Sequence, residues 1–103
     1  MFVQLIRFRS TRIDEIQALS EDYDSRSRPI GQGPTGTEVL QVQGEPNTYI
    51  ALARFASAEK ARENSARPET NEWFRGFTAL IDGKPEFSDS EQIYEHWAKV
   101  PVS

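Results

Sequence analysis

The sequence predicts an α+β fold in the order strand, helix, strand, strand, helix, strand, and three observations carry that reading. The opening stretch Phe2-Val3-Gln4-Leu5-Ile6-Arg7-Phe8-Arg9 places Phe2, Ile6 and Phe8 on one side and Val3 and Leu5 on the other, the pattern of a central strand covered on both faces. Trp73, Phe74, Phe77, Leu80 and Ile81 recur at i, i+1, i+4, i+7 and i+8, a single apolar stripe on an amphipathic helix. Two strand-like runs, residues 38–43 and 48–55, flank the turn residues Gly44-Glu45-Pro46-Asn47, which predicts an antiparallel hairpin.

The remaining elements follow in chain order. Ser10 and Thr11 ahead of Asp14 and Glu15 make a helix start, with a hydroxyl to cap free amides and acids near the positive end of the dipole. Ile13, Ile16, Leu19 and Tyr23 then give a helix over 11–25 with an apolar side. Its carboxylates Asp14, Glu15, Glu21, Asp22 and Asp24 read as a solvated face. Residues 26–37, rich in Gly and Pro, read as a loop. Ala51 and Ala53 in the hairpin are small, which lets a helix approach closely or leaves room for a ligand. Ser57 opens the next helix, with Ala58, Ala61 and Ser65 on its narrow face. Pro68 interrupts it, because an interior proline removes a backbone donor and clashes with the preceding turn. A second helical piece starts near Glu69 or Thr70 and is expected to stop at Gly83 and Pro85. The last segment, 87–100, carries Ile93, Tyr94, His96 and Trp97 and reads as the final strand. This βαββαβ order is the ferredoxin-like arrangement, a four-stranded antiparallel sheet with its helices on one face. The other face then needs a cover, and a twofold pairing with a second copy supplies one.

Composition narrows the function. The 103 residues are expected to form one domain, 1–103. With no Cys, disulfides, thiolate chemistry and Cys-type metal sites are excluded, and a reducing cytoplasm is the simplest setting. Twelve Lys and Arg against sixteen Asp and Glu give a net charge of −4, which argues against nucleic acid as a partner. The apolar opening is too short, and too interrupted by Gln4 and Arg7, for a signal or a membrane span. Gly31-Gln32-Gly33-Pro34-Thr35-Gly36 matches G-x-G-x-x-G, but it follows a helix, precedes a strand and includes a proline without an amide. It therefore reads as a loop that can act as a lid, with no dinucleotide implied.

The strand 3–9 before a capped helix, the stretch Arg54-Phe55-Ala56-Ser57-Ala58-Glu59-Lys60-Ala61 leading to Asn64-Ser65, and Pro68 with Thr70 before an aromatic helix resemble the dimeric α+β barrel superfamily. Within it the chain is most similar to the antibiotic-biosynthesis-monooxygenase-like proteins. The resemblance covers nearly the whole chain and implies a homodimer joined through the sheet face. It admits cofactor-independent oxygenases, haem-degrading enzymes, isomerases and small-molecule binders, since a fold does not select its chemistry.

His96 is the only histidine and the one side chain whose ordinary pKa lies close to neutrality. It is a candidate base, with Tyr94 on the same strand face as a donor and Trp97 on the opposite face. The bland reading makes His96 structural or interfacial. Trp73 and Phe77 are either core or the aromatic wall of a pocket for a flat apolar molecule. Arg54, inside a strand, is either paired in a salt bridge or an anion stabiliser in that pocket. Asn64 and Asn71 read as caps. No carboxylate pair stands out as acid and base, and no G-x-S-x-G context exists.

These residues lead to two readings. The resemblance implies a cofactor-independent monooxygenase acting on an aromatic or polyketide-like molecule, with His96 and Tyr94 catalytic and Trp73, Phe77, Arg54 and Trp97 binding substrate. The alternative is a non-catalytic small-molecule-binding dimer. Neither calls for a cofactor or a metal. Haem binding or degradation is a third, weaker reading, because Arg7 stands where the haem-degrading branch has Asn and no His follows Trp73 on its helix.

Overall fold

A computed structural model describes residues 1–99. Its elements are β1 (Phe2–Arg9), α1 (Ile13–Ser27), a 3-10 turn (Arg28–Ile30), β2 (Gly36–Gln41), β3 (Thr48–Phe55), α2 (Ala58–Ser65), α3 (Pro68–Leu80) and β4 (Asp82–Glu91). The four strands form one antiparallel sheet in the order β2-β3-β1-β4, so β1 is central as its two-sided apolarity requires. This is an α+β, ferredoxin-like fold.

Alternation along β1 sorts the sheet into two faces. Ile6 and Phe8 point toward the helices, where they meet Ile16 of α1 and Phe77 of α3. Phe77 is 1% exposed. Its ring meets Phe8 edge-on at 5.0 Å and lies parallel to Trp73 at 5.0 Å, geometries that favour aromatic pairs beyond their burial. The two main helices approach closely because Gly76 has no side chain: a Cβ there would come within 3.0 Å of Leu19 Cδ2. On the opposite face, Val3 lies across from Arg54, Leu5 from Leu52 and Arg7 from Ile50, while Leu40 pairs with Ile50. The helices therefore leave an apolar centre uncovered among the described residues.

Local chemistry sets the element ends. Ser57 Oγ accepts from the Lys60 amide at 3.2 Å and caps α2, and Pro68 occupies the first turn of α3, where its missing donor costs nothing. Four expectations are corrected. Ser10 does not cap α1: its hydroxyl accepts from Arg12 N at 2.9 Å and donates to Leu80 O at 2.7 Å, tying the start of α1 to the end of α3. The helix expected over 11–25 runs later, and the expected 26–37 loop is shortened at both ends, by α1 and the 3-10 turn and by β2. Gly83 and Pro85 do not stop α3, which has already ended at an extended Ile81. They lie instead in β4, where Gly83 takes φ 77° and the pairing with β1 shifts between Arg7 and Arg9, a bulge that tolerates both residues.

The fourth correction concerns the final strand. It spans Asp82–Glu91 in place of 87–100, and Val100 lies outside the described residues. The ladder with β1 reaches Phe2 opposite Glu91 and closes with Gln92 N–H donating to Met1 O at 2.8 Å. Residues 92–99 have no regular structure, so alternation does not place Tyr94, His96 and Trp97 on strand faces.

Truncating Phe77 to Ala removes a ring shared by sheet and helices and is expected to cost about 3–5 kcal/mol. Chemical denaturation checks this, with a loss below about 1 kcal/mol counting against Phe77 as the centre of the core.

Candidate functional site

On α1, Ser20, Tyr23, Asp24 and Ser27 follow at i, i+3, i+4 and i+7 and share one side of the helix. Tyr23 is buried. Its hydroxyl donates to Asn64 Oδ1 at 2.9 Å and lies 2.7 Å from Thr70 Oγ1, so one phenol joins α1 to α2 and α3. Arg67 reinforces this node. Its guanidinium lies 5.8 Å from the centre of the Tyr23 ring, and its Nη1 donates to Asn64 Oδ1 at 3.1 Å and Ser27 Oγ at 3.3 Å. Buried polar groups satisfied this way rigidify their surroundings, and the same groups left unpaired would be costly.

Beside the node, between the helices and the β2–β3 half of the sheet, lies a cavity of about 140 Å³. Ile6, Ala51 and Ala53 form its sheet side, Trp73 and Tyr23 its helix side, and Pro34 and Val39 lie at its β2 side. The cavity follows from side-chain size. Where bulky residues would meet α3, β3 presents two alanines, and Trp73 is held away from them because its Nε1 donates to Ser20 Oγ at 3.1 Å while its ring stacks on Phe77. Apolar lining with a few convergent polar groups is the usual make-up of a small-molecule site.

Asp24 lines this cavity with Ser20, Asn64 and Thr70. Burial pushes its carboxyl up from the ordinary aspartate value, and the positive charge of Arg28 pulls in the opposite direction. Among the described residues, neither a hydrogen bond nor an ion pair engages its side chain. Glu38 also borders the cavity, but its side chain alternates onto the other face of the sheet and pairs with Arg54.

The expected site residues scatter. Trp73 lines the cavity. Phe77 lies behind it in the core. Arg54 sits on the opposite sheet face, where its Nη1 donates to Glu38 Oε1 at 2.7 Å, the salt-bridge alternative. Tyr94 and Trp97 are 79% and 74% exposed, His96 is exposed too, and Trp97 Nε1 donates to Glu95 Oε1 at 2.9 Å; none of the three lines the cavity. Among the described residues, no group of three or more His, Asp or Glu side chains is placed to hold a metal ion, and no helix is long and apolar enough to cross a membrane. Sequence reasoning misses Asp24, Tyr23, Asn64 and Thr70 as site residues. Helical spacing of Asp24 with Ser20 and Tyr23 is the one available signal.

Comparison with solved structures places this geometry. A mutant form of SnoaB, a cofactor-independent oxygenase from Streptomyces nogalater, superposes with a TM-score of 0.75 at 16% identity, over 91% of this chain and 94% of that one. A structure described as an antibiotic biosynthesis monooxygenase gives a TM-score of 0.69 at 9% identity, over 91% of this chain and 100% of that one. The chain has the fold of the antibiotic biosynthesis monooxygenases. A conserved protein from Methanosarcina mazei Go1 shares this monooxygenase fold, with a TM-score of 0.71 at 11% identity over 89% of this chain and 93% of that one. No family model matches the sequence, and no curated protein matches it.

The raised Asp24 pKa has a sign. The folded state holds this proton more tightly than the unfolded chain, so the contribution to stability is complete below the ordinary aspartate value and is lost as pH rises through the folded pKa. Asp24→Asn is therefore expected to stabilise the protein at pH 7 and to lose that advantage as pH falls below the ordinary value. Thermal unfolding of both proteins across that range reads the difference; a variant less stable at pH 7 contradicts it.

Proposed function

We propose that this protein binds a flat, neutral aromatic molecule in the cavity under Trp73 and oxygenates it with dioxygen, without a cofactor. The observation that carries the binding half is the cavity itself, with alanines on the sheet side and an anchored indole on the helix side. A dry cavity of about 150 Å³ holds one benzene ring, so the volume of about 140 Å³ fits one ring of a substrate. Further fused rings would extend past Pro34 and Val39. The oxygenation half is supported by likeness of fold to SnoaB and its relatives.

For an anthrone-type substrate the chemistry balances: one ring methylene and one dioxygen give one ring ketone and one water. Loss of a proton from the methylene gives an enolate, which passes one electron to dioxygen. The two radicals join in a C–O bond, and the resulting peroxide, once protonated, loses water. In such a reaction the protein supplies orientation and exclusion of water, roles suited to Trp73. The roles read for His96 as base and Tyr94 as donor require residues 92–99, which do not line the cavity, to reach it.

Oxygen uptake with 1,8-dihydroxyanthrone tests the reading. Wild type is expected to consume one dioxygen per ketone formed, and Trp73→Ala to lose at least about tenfold in rate, equivalent to about 1.4 kcal/mol of lost binding or positioning. His96→Ala and Tyr94→Phe are assayed beside it, and rates within about twofold of wild type remove both from the chemistry. Anthrone binding without oxygen uptake favours the non-catalytic binder, the second reading, which rests on the same cavity.

We further propose that a second copy covers the uncovered sheet face in a homodimer, in a cytoplasmic setting that suits a chain without cysteine. The support is the apolar centre of Val3, Leu5, Ile50 and Leu52, framed by the Arg54–Glu38 and Arg7–Glu45 pairs. Leu5→Glu is expected to convert a dimer to a monomer in sedimentation equilibrium while keeping the far-UV spectrum. A wild-type protein that sediments as a monomer refutes the pairing.

A further inference from the structure

Each polar group of the cavity under Trp73 can be asked whether another protein atom already occupies it. Ser20 Oγ accepts from Trp73 Nε1. The Tyr23 hydroxyl engages both Asn64 Oδ1 and Thr70 Oγ1, and Arg67 donates to Asn64 Oδ1 as well. Ser65 Oγ donates to Ala61 O at 3.1 Å, and Glu38 pairs with Arg54 on the far side of the sheet. Asp24 is the carboxylate that remains. It lies one helical turn beyond Ser20, lines the same space as Trp73, and is paired with nothing among the described residues. Gln4 and Thr37 border the cavity from the sheet and add an amide and a hydroxyl that can accept or donate.

We infer that Asp24 is the specificity-determining residue of this cavity, accepting a hydrogen bond from a hydroxyl carried on the ring of a neutral aromatic ligand, so that the site selects phenols over the corresponding hydrocarbons. The inference rests on reading the cavity as the ligand site. A half-buried carboxylate beside apolar walls is poorly solvated, and a donor brought by the ligand restores what water supplied. A hydroxyl group meets this need at small desolvation cost. A cationic amine is disfavoured, because Arg28 acts on Asp24 from its own helix end and Arg67 stands at the adjoining node; an ammonium would enter against two like charges. The ring itself lies against Trp73 and the alanines, so the hydroxyl decides orientation as well as affinity.

The test is calorimetric binding of two rings of the same size, p-cresol and p-xylene, which differ in one hydroxyl for one methyl. In wild type and in Asp24→Leu, the ratio of the two affinities is measured. The ratio is expected to fall about tenfold in favour of p-xylene in the variant, the effect of losing one hydrogen bond to a charged acceptor. Asp24→Asn, which keeps the shape and a neutral acceptor, is expected to fall between the two and serves if the leucine variant does not fold. An unchanged ratio overturns the inference while leaving the cavity as a ligand site. Binding of neither ring by wild type overturns the inference and the ligand-site reading together. Ring binding with the expected ratio but no oxygen uptake leaves the inference standing and removes only the oxygenase.

Discussion

The Tyr23 hydroxyl holds the helical layer in place. Its contacts to Asn64 Oδ1 at 2.9 Å and Thr70 Oγ1 at 2.7 Å bridge 41 and 47 residues of sequence, and they leave neither partner free to shift without orphaning a buried polar group. Arg67, across the Tyr23 ring and on Asn64, makes the junction charge-assisted. With α1, α2 and α3 pinned at this point, the helices cannot settle onto Ala51 and Ala53. The space that remains is the cavity. A layer free to slide would close such a void, since interiors pack tightly wherever the backbone allows.

The two faces of the sheet divide the labour. Toward the helices, Ile6, Phe8 and Phe77 supply the core, and Ile6 bounds the cavity on the β1 side. Away from them, Leu5, Ile50 and Leu52 form an apolar centre whose charged neighbours are already paired, Arg54 with Glu38 and Arg7 with Glu45. That is a surface arranged for contact, since paired charges cost less to cover than free ones. Likeness of fold to SnoaB and its relatives is compatible with many chemistries, so the cavity and its polar groups carry the functional reading.

Most of the framework can be read from residues in order. The two-sided β1, the hairpin of 38–43 and 48–55, the Ser57 cap, the helix break at Pro68 and the aromatic stripe of α3 are local signals, and local physics decides them. What escapes is non-local. Nothing in a single sequence says that Tyr23, Asn64 and Thr70 meet. Asp24 reads as part of a solvated face because charge is the dominant local cue, although its spacing from Ser20 and Tyr23 puts it on their side of the helix. The aromatic run Tyr94–Trp97 has strand-like composition, but a strand needs a partner, and the ladder with β1 closes at Met1 and Gln92. Gly83 and Pro85 look like a helix stop; the bulge in β4 accommodates them.

A crystal structure of the protein soaked with p-cresol tests the cavity most directly. The ring is expected between Trp73 and the alanines at 51 and 53, with the Tyr23–Asn64–Thr70 contacts intact and the phenolic oxygen within hydrogen-bond distance of the Asp24 carboxylate. A cavity filled by a rotated Trp73 side chain, or cresol bound only on the opposite sheet face, would contradict it.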